Sequence, residues 1–166
     1  LSKAAQIIRR TIFDTAEPFA GEFQQGCQER SVSQNLVALV TMILEGPSID
    51  IQTKHNSTPA ALTISQLLTF NSLKHKRSEK YNSSVDTRRS QSQETPLPLY
   101  VSLLLHATTR KRSLIDELFY LGLCVSYDRI LALTTELGNN VCDQFNSEQV
   151  VCPLKLRKQL FTVAAV

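Results

Sequence analysis

Nine basic side chains in two short stretches hold the most legible chemistry of this sequence. They are Lys74, Lys76, Arg77, Lys80, Arg88 and Arg89, then Arg110, Lys111 and Arg112. Lys and Arg grouped this closely are the residue types that neutralise phosphates, because each cation that reaches a polyanion releases a counterion. From Lys74 to Arg89 six basic residues stand against two acidic ones. The same pattern serves a nuclear-localisation patch or a plain solvated segment. The nine are candidates for sequence-independent nucleic-acid contact, with those two readings open beside it.

Catalytic chemistry finds less to work with. A Ser or Cys nucleophile needs a positioned base, and His55, His75 and His106 each stand apart from any Gly-framed nucleophile. His106 reads as a histidine at a helix end, where the negative terminus of the dipole favours it. Asp116 and Glu117 fall in a first helical turn, which is reason enough for two carboxylates there. No Gly-rich phosphate loop is present. Cys27, Cys124, Cys142 and Cys152 form no CxxC pair. A zinc site from His106, Cys124, Cys142 and Cys152 lacks the paired short spacing of structural zinc sites. No catalytic residue, metal or cofactor is therefore expected within this chain.

Composition sets the frame for these side chains. The chain has 166 residues, 42% hydrophobic and 20% charged, a size and balance that suit one domain with a real core. Five Gly and six Pro are too few for a sandwich of many tight turns. A net charge of +3 does not by itself demand a polyanion, but its layout is uneven. Residues 121–150 carry four acids against one Arg, so a basic middle precedes an acidic helix. Cysteines placed inside apolar-periodic segments point to a reducing, intracellular setting, with a nuclear one as the narrower reading. No apolar run approaches the roughly 18 residues that span a bilayer, so no membrane partner is expected. The apolar end "LFTVAAV" and the absence of an initiator Met read as a piece of a longer protein.

The positioning elements are mostly helices. Ala5, Ile8 and Ile12 predict one over 2–15. Ser31 with Gln34 predicts a capping box that opens a second, central helix whose stripe is Val32, Leu36, Leu39, Val40 and Ile43, widened by Val37 and Leu44. Thr58-Pro59 starts a third helix running to about Leu73, with Leu62, Leu67 and Leu68 inward. Residues 74–98 are polar, Ser-rich and basic, and read as a flexible loop between two helical halves. Leu99–His106 is a buried helix or strand, helix being preferred. Ser113 caps a short helix ended by Gly122, and Ser126 caps the longest, to about Phe145. Residues 160–166 read as a short strand or a cut end.

The pair of helices flanking Gly122 raises a specific question. "TRKRSLIDELFYLGLCVSYDRILALTTELG" has the order helix, corner, helix of a DNA-reading unit. Its second helix, however, opens on Tyr127, Asp128 and Arg129 and continues through Glu136 and Asp143, and acids oppose phosphates. The corner reads better as core packing.

The block "TRKRSLIDELFYLGLCVSYDRILALTTELGNNVCDQF" with "VVCPLKLRKQLFTVAAV" resembles a stretch of long, mobile-element-like animal proteins whose function is unknown. The resemblance covers mainly residues 105–166. It implies that any enzymatic acids lie beyond Val166, and it carries no functional residue onto this chain.

Together these readings give an all-α, irregular bundle of about six helices with a long basic loop. Its parts are an N-terminal half over 1–73, the loop over 74–98 and a C-terminal half over 99–166. The expected role is a non-catalytic helical module that contacts other parts of the same longer protein or protein partners. Nucleic-acid binding through the basic residues is the alternative, and an accessory part of an enzyme is the third reading.

Overall fold

The Thr58-Pro59 pair does what its chemistry dictates: Thr58 Oγ1 accepts from the Ala61 amide at 3.3 Å and Pro59 is the first helical residue. In a computed structural model the described residues are 1–15, 23–47, 57–77, 84–87, 89 and 91–148. Their order is α1 (Ser2–Thr15), α2 (Cys27–Arg30), α3 (Gln34–Glu45), α4 (Pro59–Asn71), β1 (Lys74–Arg77), β2 (Ser84–Thr87), a 3-10 turn (Gln91–Gln93), α5 (Pro96–Thr109), α6 (Arg112–Tyr120) and α7 (Tyr127–Glu148). The fold is an all-α irregular bundle with one small antiparallel ribbon, β1–β2. Residues 99–106 lie within a helix, α5. The connector 48–56, with His55, and the C-terminal residues 149–166, with the strand reading of 160–166, lie outside the described residues.

Two cores form, and α4 enters both. Ile12 of α1, Leu36 and Val40 of α3 and Ala61 of α4 make one, with Val32, Val37 and Leu62 alongside. Phe70 of α4, Leu99 of α5, Ile115 of α6, Cys124, Val125, and Ile130 and Leu133 of α7 make the other. Each helix of the second half thus offers one or two fully buried side chains to a shared centre, the ordinary way a small bundle excludes water.

Four local expectations are corrected. The capping box does not form: Ser31 Oγ donates to the Gln28 carbonyl at 2.7 Å and closes α2, and Ser33 precedes α3 without a side-chain cap. The stripe of α3 is buried only in its first turns, since Ile43 and Leu44 are exposed. The inward face of α4 is Leu62, Ser65, Gln66, Thr69 and Phe70, whereas Leu68 faces water. Ser113 does not cap α6, which starts one residue earlier behind Lys111.

The stretch read as a loop over 74–98 contains defined structure. β1 and β2 pair antiparallel with Lys74 opposite Thr87, His75 opposite Asp86, Lys76 opposite Val85 and Arg77 opposite Ser84. Its last part is buried: Gln93, Glu94, Thr95 and Pro96 all sit inside, and Pro96 already belongs to α5. The physical reason is hydrogen bonding rather than apolar burial. Gln66 accepts from the Leu97 amide through Oε1 at 2.9 Å and from Thr95 Oγ1 through its carbonyl at 3.2 Å. Gln93 Nε2 donates to the Ser72 carbonyl at 2.7 Å. Buried amides gain from such partners what periodicity cannot reveal.

Candidate functional site

The nine basic residues are divided between places. Lys74, Lys76 and Arg77 are β1 itself. Lys80 and Arg88 lie outside the described residues. Arg89 is bound into the fold. Its guanidinium donates to Asn71 Oδ1 at 3.1 Å and to the Phe119 carbonyl, and it stacks over the Phe119 ring at 4.7 Å. A cation on the last carbonyls of α6 meets the negative end of that helix. Arg89 therefore fastens the end of β2 to α4 and α6.

Arg110, Lys111 and Arg112 stand at the other end of α6. Arg110 takes the left-handed conformation (φ 51°) that closes α5, and Lys111 is the N-cap of α6. Arg112 is partly neutralised, with Asp116 at 3.5 Å, Asp128 at 3.8 Å and the Tyr127 ring below it at 5.2 Å. The nine residues of α6 put roughly 12 Å between this corner and Arg89. Among the described side chains, Arg89 and the Arg110–Arg112 corner stand at opposite ends of α6 rather than in one site.

The helix pair around Gly122 is held from outside the pair. Asn71 Nδ2 donates to the Gly122 carbonyl at 2.8 Å, and Ser102 Oγ accepts from the Val125 amide at 2.9 Å. At the start of α7, Arg129 forks onto Glu94, Nε donating to Oε1 and Nη2 to Oε2, each at 2.9 Å, and its Nη1 reaches Glu136 at 3.2 Å. Glu94 is 5% exposed, so this is a desolvated, charge-assisted pair that ties residue 94 to α7. The Glu94 bond holds the Arg129 guanidinium above its ordinary pKa, against the opposing effect of burial. The side chain that sequence order would offer to a DNA groove is thus used inside the protein.

Of the remaining candidates, Cys124 and His106 pack against the protein's own groups. Cys124 is fully buried, its thiol directed at the Ile115 carbonyl at 3.4 Å. Burial pushes this thiol up from its ordinary 9.0, against the Ser102 hydroxyl and the Arg89 charge, which pull it down. A thiol held protonated is a poor nucleophile and a poor metal ligand. Cys142 is exposed on α7 and Cys152 lies outside the described residues. His106 is in the last turn of α5, edge-on to Tyr127 with ring centroids 5.5 Å apart. Among the described residues no three His, Cys, Asp or Glu side chains group as metal ligands would. None of the described helices is long and apolar enough to cross a membrane.

Sequence periodicity marks a face on α7 whose fate only the fold reveals. Ile130 and Leu133 are buried and Leu137 packs against the same core. One and two turns on, Val141 and Phe145 continue that row but are 48% and 47% exposed. Around them Gly138, Asn139, Asn140, Asn146 and Ser147 are uncharged, while Asp143 and Glu148 are acidic. The helix leaves the core with its apolar side still facing outward.

Compared with protein-family models, curated proteins and solved structures, the chain matches none.

Proposed function

We propose that the chain is a non-catalytic helical protein-interaction module of a larger, mobile-element-like protein, with the outer half of α7 as its docking helix. The observation that supports this is the row Ile130, Leu133, Leu137, Val141, Phe145, buried at its start and exposed at its end. An apolar face displayed at helical spacing fits the groove of another helical surface, in the same long protein or in a partner. The free thiols Cys27, Cys124 and Cys142 and the basic segment accord with an intracellular, nuclear setting.

Sedimentation of the 166-residue chain at rising concentration tests it. The chain should self-associate through this face in the absence of its partner, and the double substitution Val141→Ser/Phe145→Ser should leave a monomer with unchanged thermal stability. A clean monomer at all concentrations, or self-association that survives the double substitution, would overturn the reading.

A further inference from the structure

The ribbon β1–β2 sorts its charges by face. Partners directly opposite in an antiparallel pair share a face, and neighbours along a strand alternate. With Lys74 opposite Thr87 and Lys76 opposite Val85, one face carries the positions Lys74, Lys76, Val85 and Thr87. The other carries His75, Arg77, Ser84 and Asp86. The only acid in the two strands thus falls on the Arg77 face. The Lys74–Lys76 face holds two cationic positions and no acidic one, a separation that the mixed linear sequence conceals.

Both strands pack principally on each other rather than on a helix. An isolated two-stranded ribbon is marginal in water. This one is held at its base, where Arg89 bonds to Asn71 and the Phe119 carbonyl and Gln93 bonds to the Ser72 carbonyl. Val85 is the one apolar residue in its two strands. A clamped, narrow ribbon with two lysine positions and no acidic one on a face has the cross-section that B-form DNA admits in its major groove, about 12 Å wide. Lys74 and Lys76 are spaced about 7 Å along the strand. Each strand of a B-form duplex carries one phosphate per about 3.4 Å of helix axis, and because the backbone winds around that axis its successive phosphates lie farther apart than this rise, at a spacing comparable to that of the two lysines.

From this placement we propose that the Lys74–Lys76 face of the ribbon is a contact site for the phosphate backbone of duplex DNA. The site is separate from the α7 surface, so either can fail alone. Charge complementarity selects the occupant: two lysines without an acid favour a regular line of phosphates, and the absence of an aromatic position on that face disfavours stacking of single-stranded bases.

Fluorescence anisotropy with a labelled duplex of about two helical turns tests it on the full 166-residue chain, at salt between about 50 and 200 mM. The chain should bind at the lower salt. Lys74→Gln/Lys76→Gln should weaken binding about tenfold there and reduce the log–log salt slope by about 2, because each phosphate contact contributes roughly 0.9. Lys74→Arg/Lys76→Arg should retain both affinity and slope, which separates charge from folding. Arg77→Gln, on the other face, should change the slope by less than either lysine. Absence of binding at the lower salt, an unchanged slope in the Gln variant, or an equal effect of Arg77→Gln would overturn the proposal. So would tighter binding to single-stranded RNA or to vesicles of anionic phospholipid than to the duplex.

Discussion

Asn71 and Gly122 fit each other so closely that a side chain at Gly122 would have to displace the Asn71 amide. Asn71 Nδ2 donates to the Gly122 carbonyl at 2.8 Å and to the Leu67 carbonyl at 2.9 Å, while its Oδ1 accepts from Arg89. Gly122 has φ +78°, and a Cβ added there would lie 2.3 Å from Asn71 Oδ1. One amide thus closes α4, orients the corner between α6 and α7, and receives the arginine that fastens the ribbon.

Gly122→Ala should therefore cost about 2–4 kcal/mol, the sum of a left-handed residue with a side chain and displaced hydrogen bonds. Gly138→Ala has the opposite expected sign. Gly138 lies within α7 with nothing within 4 Å of an added Cβ, and a helical glycine replaced by alanine gains about 0.5–1 kcal/mol. Urea denaturation of the two variants should move the midpoint in opposite directions. A Gly122→Ala protein as stable as the parent would mean the Asn71 bonds are not made.

Glu94→Ala should destabilise by about 2–4 kcal/mol, because it leaves the Arg129 guanidinium desolvated without its main partner. Glu136→Ala removes only an exposed partner of the same arginine (side chain 58% exposed) and should cost about 0.5 kcal/mol or less. The raised pKa of Arg129 adds stability that is complete below the ordinary, strongly alkaline value of a guanidinium and is lost only as pH rises through the still higher folded one. Arg129 should accordingly contribute no slope to a stability profile between roughly pH 5 and pH 9. Equal losses for the two glutamate variants would show that burial of Glu94 does not matter.

Cys124 does predict a pH effect. Its thiol is held above 9.0 chiefly by burial, so the unfolded chain ionises first. The stabilising contribution is intact below pH 9 and fades as pH rises through the folded value. The stability difference between the parent and Cys124→Ala should be constant over roughly pH 6–8 and shrink above about 9. A difference that grows in alkali would contradict the sign.

Arg89→Met should cost about 1.5–3 kcal/mol through lost charge-assisted bonds to Asn71 and the end of α6. Arg89→Lys should recover little of it, because an ammonium cannot serve Asn71 Oδ1, the Phe119 carbonyl and the Phe119 ring at once. Amide exchange at residues 119–122 should accelerate in both variants. Exchange rates unchanged from the parent would remove Arg89 from its capping role.

The helices are legible in the sequence where local chemistry decides them. Thr58-Pro59 and Ser126 mark their helix starts because capping is settled within three or four residues. The all-α class and the end of α6 at Gly122 follow from the same short-range rules. Long-range polar pairing is not legible. Gln66 bonds to residues 29 and 31 positions away, and this turns a polar side of α4 inward where periodicity points to leucines. Ser31 reads as an N-cap because Gln34 stands at the right spacing, yet its hydroxyl answers to Gln28 behind it. The ribbon is invisible to any reading that lets apolar burial alone order a polar segment. Hydrogen bonds at its base do that instead. Among the candidate site residues, Arg89 shows the limit most clearly. Its type and neighbours advertise phosphate binding, and only the fold brings Phe119 and Asn71 to its guanidinium.

Helix α4 gives the molecule a fixed ruler. Ala61 near its start is seated in one core and Phe70 near its end in the other. Each residue advances a helix by about 1.5 Å and turns it by about 100°. Inserting or deleting a single residue between them would swing Phe70 about a quarter-turn away from Leu99 and Ile130, whatever the inserted side chain. Within this span chain length matters more than residue identity, and the two halves of the protein must keep the same phase or come apart together.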